Sequence, residues 1–332
     1  MNMEISRLSK ENLADIQPLL QGYKFKPFQR YPNLPEAKVN SYFLRHISSL
    51  FANSGDNSML IARDQETDDI VGVATLERLS WDTRHFGIKM ARIGYLISGG
   101  SHDRESFVKD RLLSAVLDLC KKEEITFISA KPDVRDLSSI HCLEENGFRL
   151  MSTYQNYLLD KEFHVPKGTA GKESLCVNRP FEPKDLSAVL SLAKGAFRVS
   201  HFYADRRLSR SRCDDLYVEW ARKSCEGYVT ETLVIEVDNH PAGFATFDID
   251  ESFSQFMGVK LGRFILCTIA PDFRRKGVFA SHVDQAADYY LKKVDLIDIE
   301  IPVDNWRASH PWSQVGSRVV HSRHVFHRWL DK

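Results

Sequence analysis

Apolar positions along the chain follow two alternating periods, and the alternation occurs twice. Residues 107–121, FVKDRLLSAVLDLCK, carry apolar side chains at helical spacing, and 124–130, EITFISA, read as a buried strand. Residues 137–146 predict a short helix stopped at Gly147, a residue suited to the left-handed turn that ends helices. FRLMSTYQNYLL then predicts a strand. The C-terminal part has the same order. VFASHVDQAADYYLKK places Phe279, Val283, Ala286, Ala287, Tyr290 and Leu291 on one helical face. DLIDIEIPV predicts a strand, RASHPWSQVG a helix or turn ending at Gly316, and RVVHSRHVFHRWL a terminal strand.

The two runs align. LCKKEEITFISA matches YLKKVDLIDIEI with Lys121 over Lys292, and IHCLEENGFRL matches SHPWSQVGSRV with Gly147 over Gly316. Between them, HVPKGTAGKES (164–174) is rich in Gly, Pro and Lys and reads as a linker. A length of 332 residues suits two domains better than one. The expectation is a duplicated α/β (α+β, mixed-sheet) chain with domains at 1–163 and 175–332.

Charge narrows the partners. Lys and Arg number 45, as do Asp and Glu, so the net charge is zero. That opposes a broad electrostatic grip on nucleic acid or an anionic membrane. The start, MNMEISRLSKENLADIQPLL, is interrupted by Glu4, Lys10, Glu11 and Asp15 and has no apolar signal core. No run approaches the roughly 20 apolar residues of a membrane span. Six scattered cysteines (Cys120, Cys142, Cys176, Cys213, Cys225, Cys267) include no CxxC pair, which points to reduced thiols and a cytoplasmic protein. His321, His324 and His327 lie three apart on a predicted strand, so His324 faces away from the other two and no metal site is expected.

One basic run has a telling position. PDFRRKGVFA (271–280) follows the strand-like RFILCTIA and opens the helix of FASHVDQAADYYL. A helix N-terminus offers unpaired N–H groups and positive partial charge, and glycine lets a phosphate come close to the backbone. Arg274, Arg275, Lys276 and Gly277 therefore read either as a diphosphate cradle or as a solvated basic turn. The matching stretch of the first half, GGSHDRESFVK, is polar and partly acidic.

Strand, then Arg274-Arg275-Lys276-Gly277-Val278-Phe279, then helix resembles the [QR]xxGx[GA] coenzyme A signature of the GNAT acyltransferase superfamily, with Phe279 where Gly or Ala is usual. NWRASHPWSQVG resembles the NxxAxxxYxxxGF segment of the same superfamily, with Asn305, Ala308 and Gly316 in place. SWDTRHFGIKMARI (80–93), residues 198–224 and the closing FHRW resemble segments of TDP-fucosamine acetyltransferase and related sugar-nucleotide N-acetyltransferases. The resemblance implies two tandem GNAT-like domains, the first degenerate and contributing to the acceptor site, the second binding acetyl-CoA or a related acyl-CoA. The implied reaction is N-acylation of a small amine, foremost an amino-sugar nucleotide, with no metal. A homodimer is compatible with it.

The same resemblance implies site residues. Cys267, Thr268 and Ile269 would lie beside the pantetheine arm, and Arg274, Arg275, Lys276, Gly277, Val278, Phe279, Ala280 and Asn305 would hold the rest of the cofactor. The tyrosine that usually protonates the leaving thiolate is replaced by Trp312, whose indole donates a hydrogen bond but is no acid. His310 is the nearby substitute, Pro311 interrupts the expected helix, and Ser317 replaces the usual Phe. Asp298 and Glu300, alternating on one strand face, are candidate bases, read against an ion pair or a solvated strand end. His201, Phe202, Tyr203 and Asp205 would face the acceptor, read against capping roles. Trp81 and Phe86 would stack on a base or sugar, read against core packing. The rival readings are an N-acyltransferase of another small-molecule or protein amine, and a non-catalytic ligand-binding or scaffold protein on a retired acyltransferase fold. Aminoacyl-tRNA-dependent transfer is opposed by the absence of a basic stripe.

Overall fold

The computed structural model describes residues 2–8, 13–52, 57–166 and 174–330 and divides into two compact units, residues 1–153 with 323–332 and residues 154–322. In the first unit the alternating periods become β1 (Met3–Arg7), α1 (Gln17–Gly22), α2 (Glu36–Ala52), β2 (Asn57–Asp64), β3 (Ile70–Arg78), α3 (Ser80–Phe86), β4 (Met90–Ser98), α4 (His102–Lys122), β5 (Phe127–Ala130) and α5 (Leu137–Glu145). The chain then enters β6 (Arg149–Asp160), and the unit boundary falls inside that strand. The sheet of this unit is completed by the end of the last strand, β12 (Arg318–Trp329), in the order β1-β2-β3-β4-β5-β12.

Only β4 and β5 are parallel neighbours in that sheet. A parallel pair needs a crossover, and α4 supplies it. Its predicted apolar face, Val108, Leu112, Leu113, Val116 and Cys120, packs on Ala91, Ile93 and Ile128. Each such side chain contributes about 1.5–3 kcal/mol on burial, so the helix that connects the pair also clamps it. The opposite sheet face is covered by Leu20, Phe43 and Ile47 over Val73 and Ile97.

The second unit repeats this plan. It takes the end of β6, then β7 (Val177–Pro180), α6 (Leu186–Ala193), α7 (His201–Ala204), α8 (Arg210–Lys223), β8 (Glu231–Val237), β9 (His240–Ile249), α9 (Glu251–Met257), β10 (Leu261–Ile269), α10 (Val278–Tyr290), β11 (Leu296–Pro302) and α11 (Trp306–Gln314). Its strand order is β6-β11-β10-β9-β8-β7, with β10 and β11 the parallel pair and α10 the crossover. Val283, Ala286, Ala287, Tyr290 and Leu291 are buried as predicted, against Ile297, Ile299 and Ile301. Each unit thus receives its strand beside the parallel pair from the other half of the sequence: β12 pairs with β5, and β6 with β11.

The duplication extends to single hydrogen bonds. Thr75 Oγ1 accepts from the Tyr95 amide at 2.9 Å, and Thr246 Oγ1 from the Leu266 amide at 2.9 Å. Both bonds cap a bulge at the same place in β4 and β10. Thr83 Oγ1 accepts from Met90, and Ser254 Oγ from Leu261. Phe127 donates to the Lys89 carbonyl and Leu296 to that of Lys260, so Phe127 answers to Leu296. This corrects the alignment of Lys121 with Lys292: Lys121 lies in the last turn of α4, Lys292 beyond the end of α10. The match of Gly147 with Gly316 holds, since Gly147 and Gly316 donate to Glu144 and Ser313. Of the predicted linker 164–174, residues 167–173 lie outside the described residues.

Candidate active site

The central feature of the second unit is a split between its parallel strands. β10 and β11 pair over Leu261–Phe264 and Leu296–Ile299, and no further. The β10 bulge follows immediately, and beyond it Cys267, Thr268 and Ile269 pair only with β9. Ala270 N–H donates to Ala242, so by the alternation of an antiparallel ladder Thr268 shares that side. The N–H and C=O groups of Cys267 and Ile269 therefore point toward the side from which β11 has separated. Backbone groups of this kind need partners. The Ile269 carbonyl has one, Arg274 Nε at 2.7 Å.

The basic run lies at the end of β10. A short 3₁₀ turn over Pro271–Phe273 leads into Arg275 at φ +62° and Gly277 at φ +82°, the N-cap of α10. Two left-handed residues separated by one turn the intervening amides toward a common concavity, which suits an anion. The N-cap of α10 has no side-chain cap among the described residues, so its first amides lack an acceptor of that kind. Among the described residues, a Cβ on Gly277 would meet only the tip of Leu175, at 2.9 Å, a flexible side-chain end rather than backbone. Arg274, Arg275 and Lys276 are exposed, with Lys276 Nζ 5.8 Å above the Phe273 ring. Val278 is buried, Phe279 packs against Ile269 and Cys176, and Ala280 is half-buried. Open strand edge, glycine turn, cationic side chains and free helix end fit an extended diphosphate ester such as a coenzyme A.

The predicted catalytic corner divides. Trp312 is 3 % exposed and packs in the core, its ring 5.0 Å from that of Phe264. His310 is on the exposed side of α11, bonded to Gln314 at 2.8 Å, so the two are not brought together. Pro311 is accommodated inside α11 and is buried, and Asn305 is the N-cap of that helix.

Asp298 and Glu300 occupy the face of β11 away from the isoleucine core. Asp298 is buried, accepts from Asn156 Nδ2 at 3.0 Å and faces Arg263 Nε at 3.8 Å, with Arg263 also held by Asp250. This is the ion-pair arrangement, with the carboxylate already engaged by Asn156 and Arg263. Glu300 is exposed beyond the last β10–β11 pair. Cross-strand from it and its neighbour Pro302 lie Asn156 and Tyr154 of β6. Tyr154 accepts a hydrogen bond from the His201 amide at 3.2 Å, and burial first, then Tyr217 and the charges of Glu300 and Asp304, hold its hydroxyl well above the usual phenol range. The His201 amide and the charge of Glu300 thus both act on Tyr154, a residue that no sequence motif marks.

The remaining candidates have local partners. The Phe202 ring lies 4.1 Å from that of His201, tilted by 35°, and the Phe202 carbonyl accepts from Cys213 Sγ. Tyr203 donates to Asp214, and Asp205 accepts from the Arg207 amide at 3.0 Å in a turn. Trp81 and Phe86 belong to α3 of the first unit, where Trp81 stacks on His85 at 5.1 Å. Both are half-buried.

The first unit has the same split, since β4 pairs with β5 only over Met90–Ile93. There it is closed from within. Leu96, the counterpart of Cys267, has its carbonyl bonded by Ser139 Oγ at 3.3 Å. Lys109, 3 % exposed at its side chain, pairs with Asp136 at 2.7 Å and bonds Ser138. Asp103 and Glu105 supply negative charge to the first turn of α4.

No family model matches the chain. The spore coat polysaccharide biosynthesis protein SpsD of Bacillus subtilis (strain 168) is 21% identical over 273 residues, covering 80% of this chain and 87% of that protein. Among solved structures, a GCN5-related glucosamine N-acetyltransferase region in a fungal multi-domain GH3 beta-N-acetylglucosaminidase superposes with a TM-score of 0.65 at 13% identity, over 98% of this chain; the chain spans 38% of that one. A tandem GNAT protein from the clavulanic acid biosynthesis pathway superposes with a TM-score of 0.58 at 12% identity over 100% of this chain and 99% of its own. The chain has the fold of the GCN5-related N-acetyltransferases, in its tandem form.

Proposed function

We propose that the protein is an acyl-CoA-dependent N-acetyltransferase acting on a small amine, foremost an amino sugar carried on a nucleotide. The observation that carries this is the split beside Cys267 with the glycine-turned basic end of α10 following it. The amino-sugar part draws on the likeness to SpsD and to the glucosamine N-acetyltransferase region. Among the described residues no helix is long and apolar enough to cross a membrane, and no His/Cys/Asp/Glu group is disposed to hold a metal ion. We place the protein in the cytoplasm.

Acyl-CoA supplies a thioester and a diphosphate-bearing handle. In this reading the α10 amides with Arg274, Arg275 and Lys276 take the diphosphate, and Cys267, Thr268, Ile269 and Asn305 line the arm. The Cys267 N–H, on the open side of β10, donates to the developing oxyanion; a preorganised donor of this kind is worth on the order of a hundredfold or more in rate. Holding the amine in line with the carbonyl is a second large contribution. As the C–N bond forms and the C–S bond breaks, Glu300 receives the proton of the amine and the thiolate leaves. With Trp312 in the core and His310 across the helix, water rather than a side chain protonates the sulfur. A thiol of pKa near 8.5 is a tolerable leaving group without an acid.

A second reading, an acyl-CoA-binding protein without turnover, is favoured by the burial of Trp312. Calorimetric titration with acetyl-CoA tests the cofactor. Binding by the unmutated protein that Arg275→Glu and Gly277→Glu both abolish is the expected result, and no binding by the folded protein overturns the assignment. Release of free CoA thiol with UDP-glucosamine as acceptor then separates enzyme from binder.

A further inference from the structure

On the same face as Glu300, Asn156 presents a buried acceptor that no described residue uses. Asn156 is 7 % exposed. Its Nδ2 donates to Asp298 Oδ1 at 3.0 Å, and Asp298 is ion-paired with Arg263. A carboxylate accepts and does not donate, so this bond fixes which end of the amide is nitrogen. The oxygen, Oδ1, is then the other end of the amide, is buried, and has no hydrogen-bond partner among the described residues. A buried acceptor left unmade costs about 1–3 kcal/mol, so the site is built for a donor.

We infer that Asn156 is a positioning residue for the acceptor, its Oδ1 accepting a hydrogen bond from the amine of an amino sugar while the neighbouring Glu300 supplies the opposite charge. Asn156 and Glu300 are directly opposite on β6 and β11, which puts their side chains side by side on one face. Tyr154 and Pro302 are the next pair on that face. On its other side β11 borders the split, so an amine held between Asn156 and Glu300 lies one strand from the open backbone of Cys267. Arg263 and Asp298 orient Asn156 without touching the acceptor. In the first unit the counterparts of Asn156 and Glu300 are Val325 and Lys131, an apolar side chain and a cation, which do not hold an ammonium.

This inference rests on the acyltransferase reading for its ligand class, and the test separates the two. Glucosamine and UDP-glucosamine are titrated calorimetrically, without cofactor, into the unmutated protein, Asn156→Leu and Glu300→Gln. The expected result is binding of at least one amine, weakened about ten- to a hundredfold by Asn156→Leu, the range of a hydrogen bond to a charged group. Glu300 is exposed, so Glu300→Gln folds in any case and weakens the same amine. Asn156→Ser, which keeps an acceptor, restores part of the loss, whereas a purely structural role moves only the melting temperature. In turnover, Asn156→Leu raises KM for the amine and leaves acetyl-CoA binding unchanged. Amine affinity unaffected by Asn156→Leu, or no binding of either amine to the folded protein, overturns the inference. Failure of acetyl-CoA to bind overturns the acyltransferase reading, and the cofactor-free titration still decides the role of Asn156.

Discussion

The two units follow one hydrogen-bond plan and differ in what stands at the split of their parallel strands. In the first, Ser139 closes the strand carbonyl, and Lys109 and Asp136 form a buried ion pair, with Ser138 also accepting from Lys109. In the second, the corresponding strand edge is open, a basic turn follows it, and Ala308 stands where the first unit has Ser139. Gly94 leaves room for Glu77 to fold across the first bulge and pair with Arg92 at 2.7 Å, where the second unit has Ile265. A duplicated scaffold therefore keeps its backbone hydrogen bonds while its site changes use. Bulge, cap and crossover are needed to fold, whereas the polar groups at the split are needed only for a ligand, and the first unit supplies its own.

The largest break in this comparison comes from removing the internal occupant. Lys109→Met leaves Asp136 buried and unpaired and is expected to cost about 3–5 kcal/mol of stability, read by denaturant unfolding. Lys109→Met with Asp136→Asn recovers much of that loss, because the neutral amide no longer needs the cation. Acetyl-CoA binding is unchanged in either. A cost below about 1 kcal/mol for the single change assigns Lys109 no such structural role.

Next in size is the contrast between the two helix starts. Gly277→Glu places a side chain at φ +82° and a negative charge at the end of α10. Acetyl-CoA affinity is expected to fall more than about a hundredfold, equivalent to about 2.7 kcal/mol. Ser101→Glu at the N-cap of α4 leaves it unchanged. Equal losses at both sites contradict the assignment of cofactor binding to the second unit alone.

A smaller effect concerns His282, fully buried on α10. Asn178 Nδ2 donates to the His282 carbonyl, so Asn178 Oδ1 accepts from Nδ1–H of the ring. Burial lowers the His282 pKa to about 3. The unfolded chain binds this proton near pH 6.5 and the folded chain does not, so stability present at pH 7 and above is lost as pH falls from about 6.5 toward 3. The loss at pH 5 is about 2 kcal/mol. His282→Gln is expected to flatten the fall in melting temperature between pH 7 and pH 5. An unchanged slope places the sensitivity elsewhere.

The sequence by itself determined the elements and their repetition. The helical faces of α4 and α10, the strands around them, the stops at Gly147 and Gly316 and the basic turn at 274–277 are local patterns, set by side-chain period and backbone chemistry within a few residues. Gly316 also permits the close approach of the Phe163 carbonyl, a contact its helix-stop role does not reveal. Only the tertiary structure decided register and pairing. The Lys121–Lys292 match was misleading because chemically similar side chains recur on exposed helix ends, whereas register follows the backbone bonds to Lys89 and Lys260. Strand period shows which residues share a face but not which strand is the neighbour. The exchange of β6 and β12 and the meeting of Asn156, Glu300, Tyr154 and His201 depend on contacts between residues distant in sequence. The burial of Trp312 has the same origin, because a helix face turns inward or outward according to what packs on it.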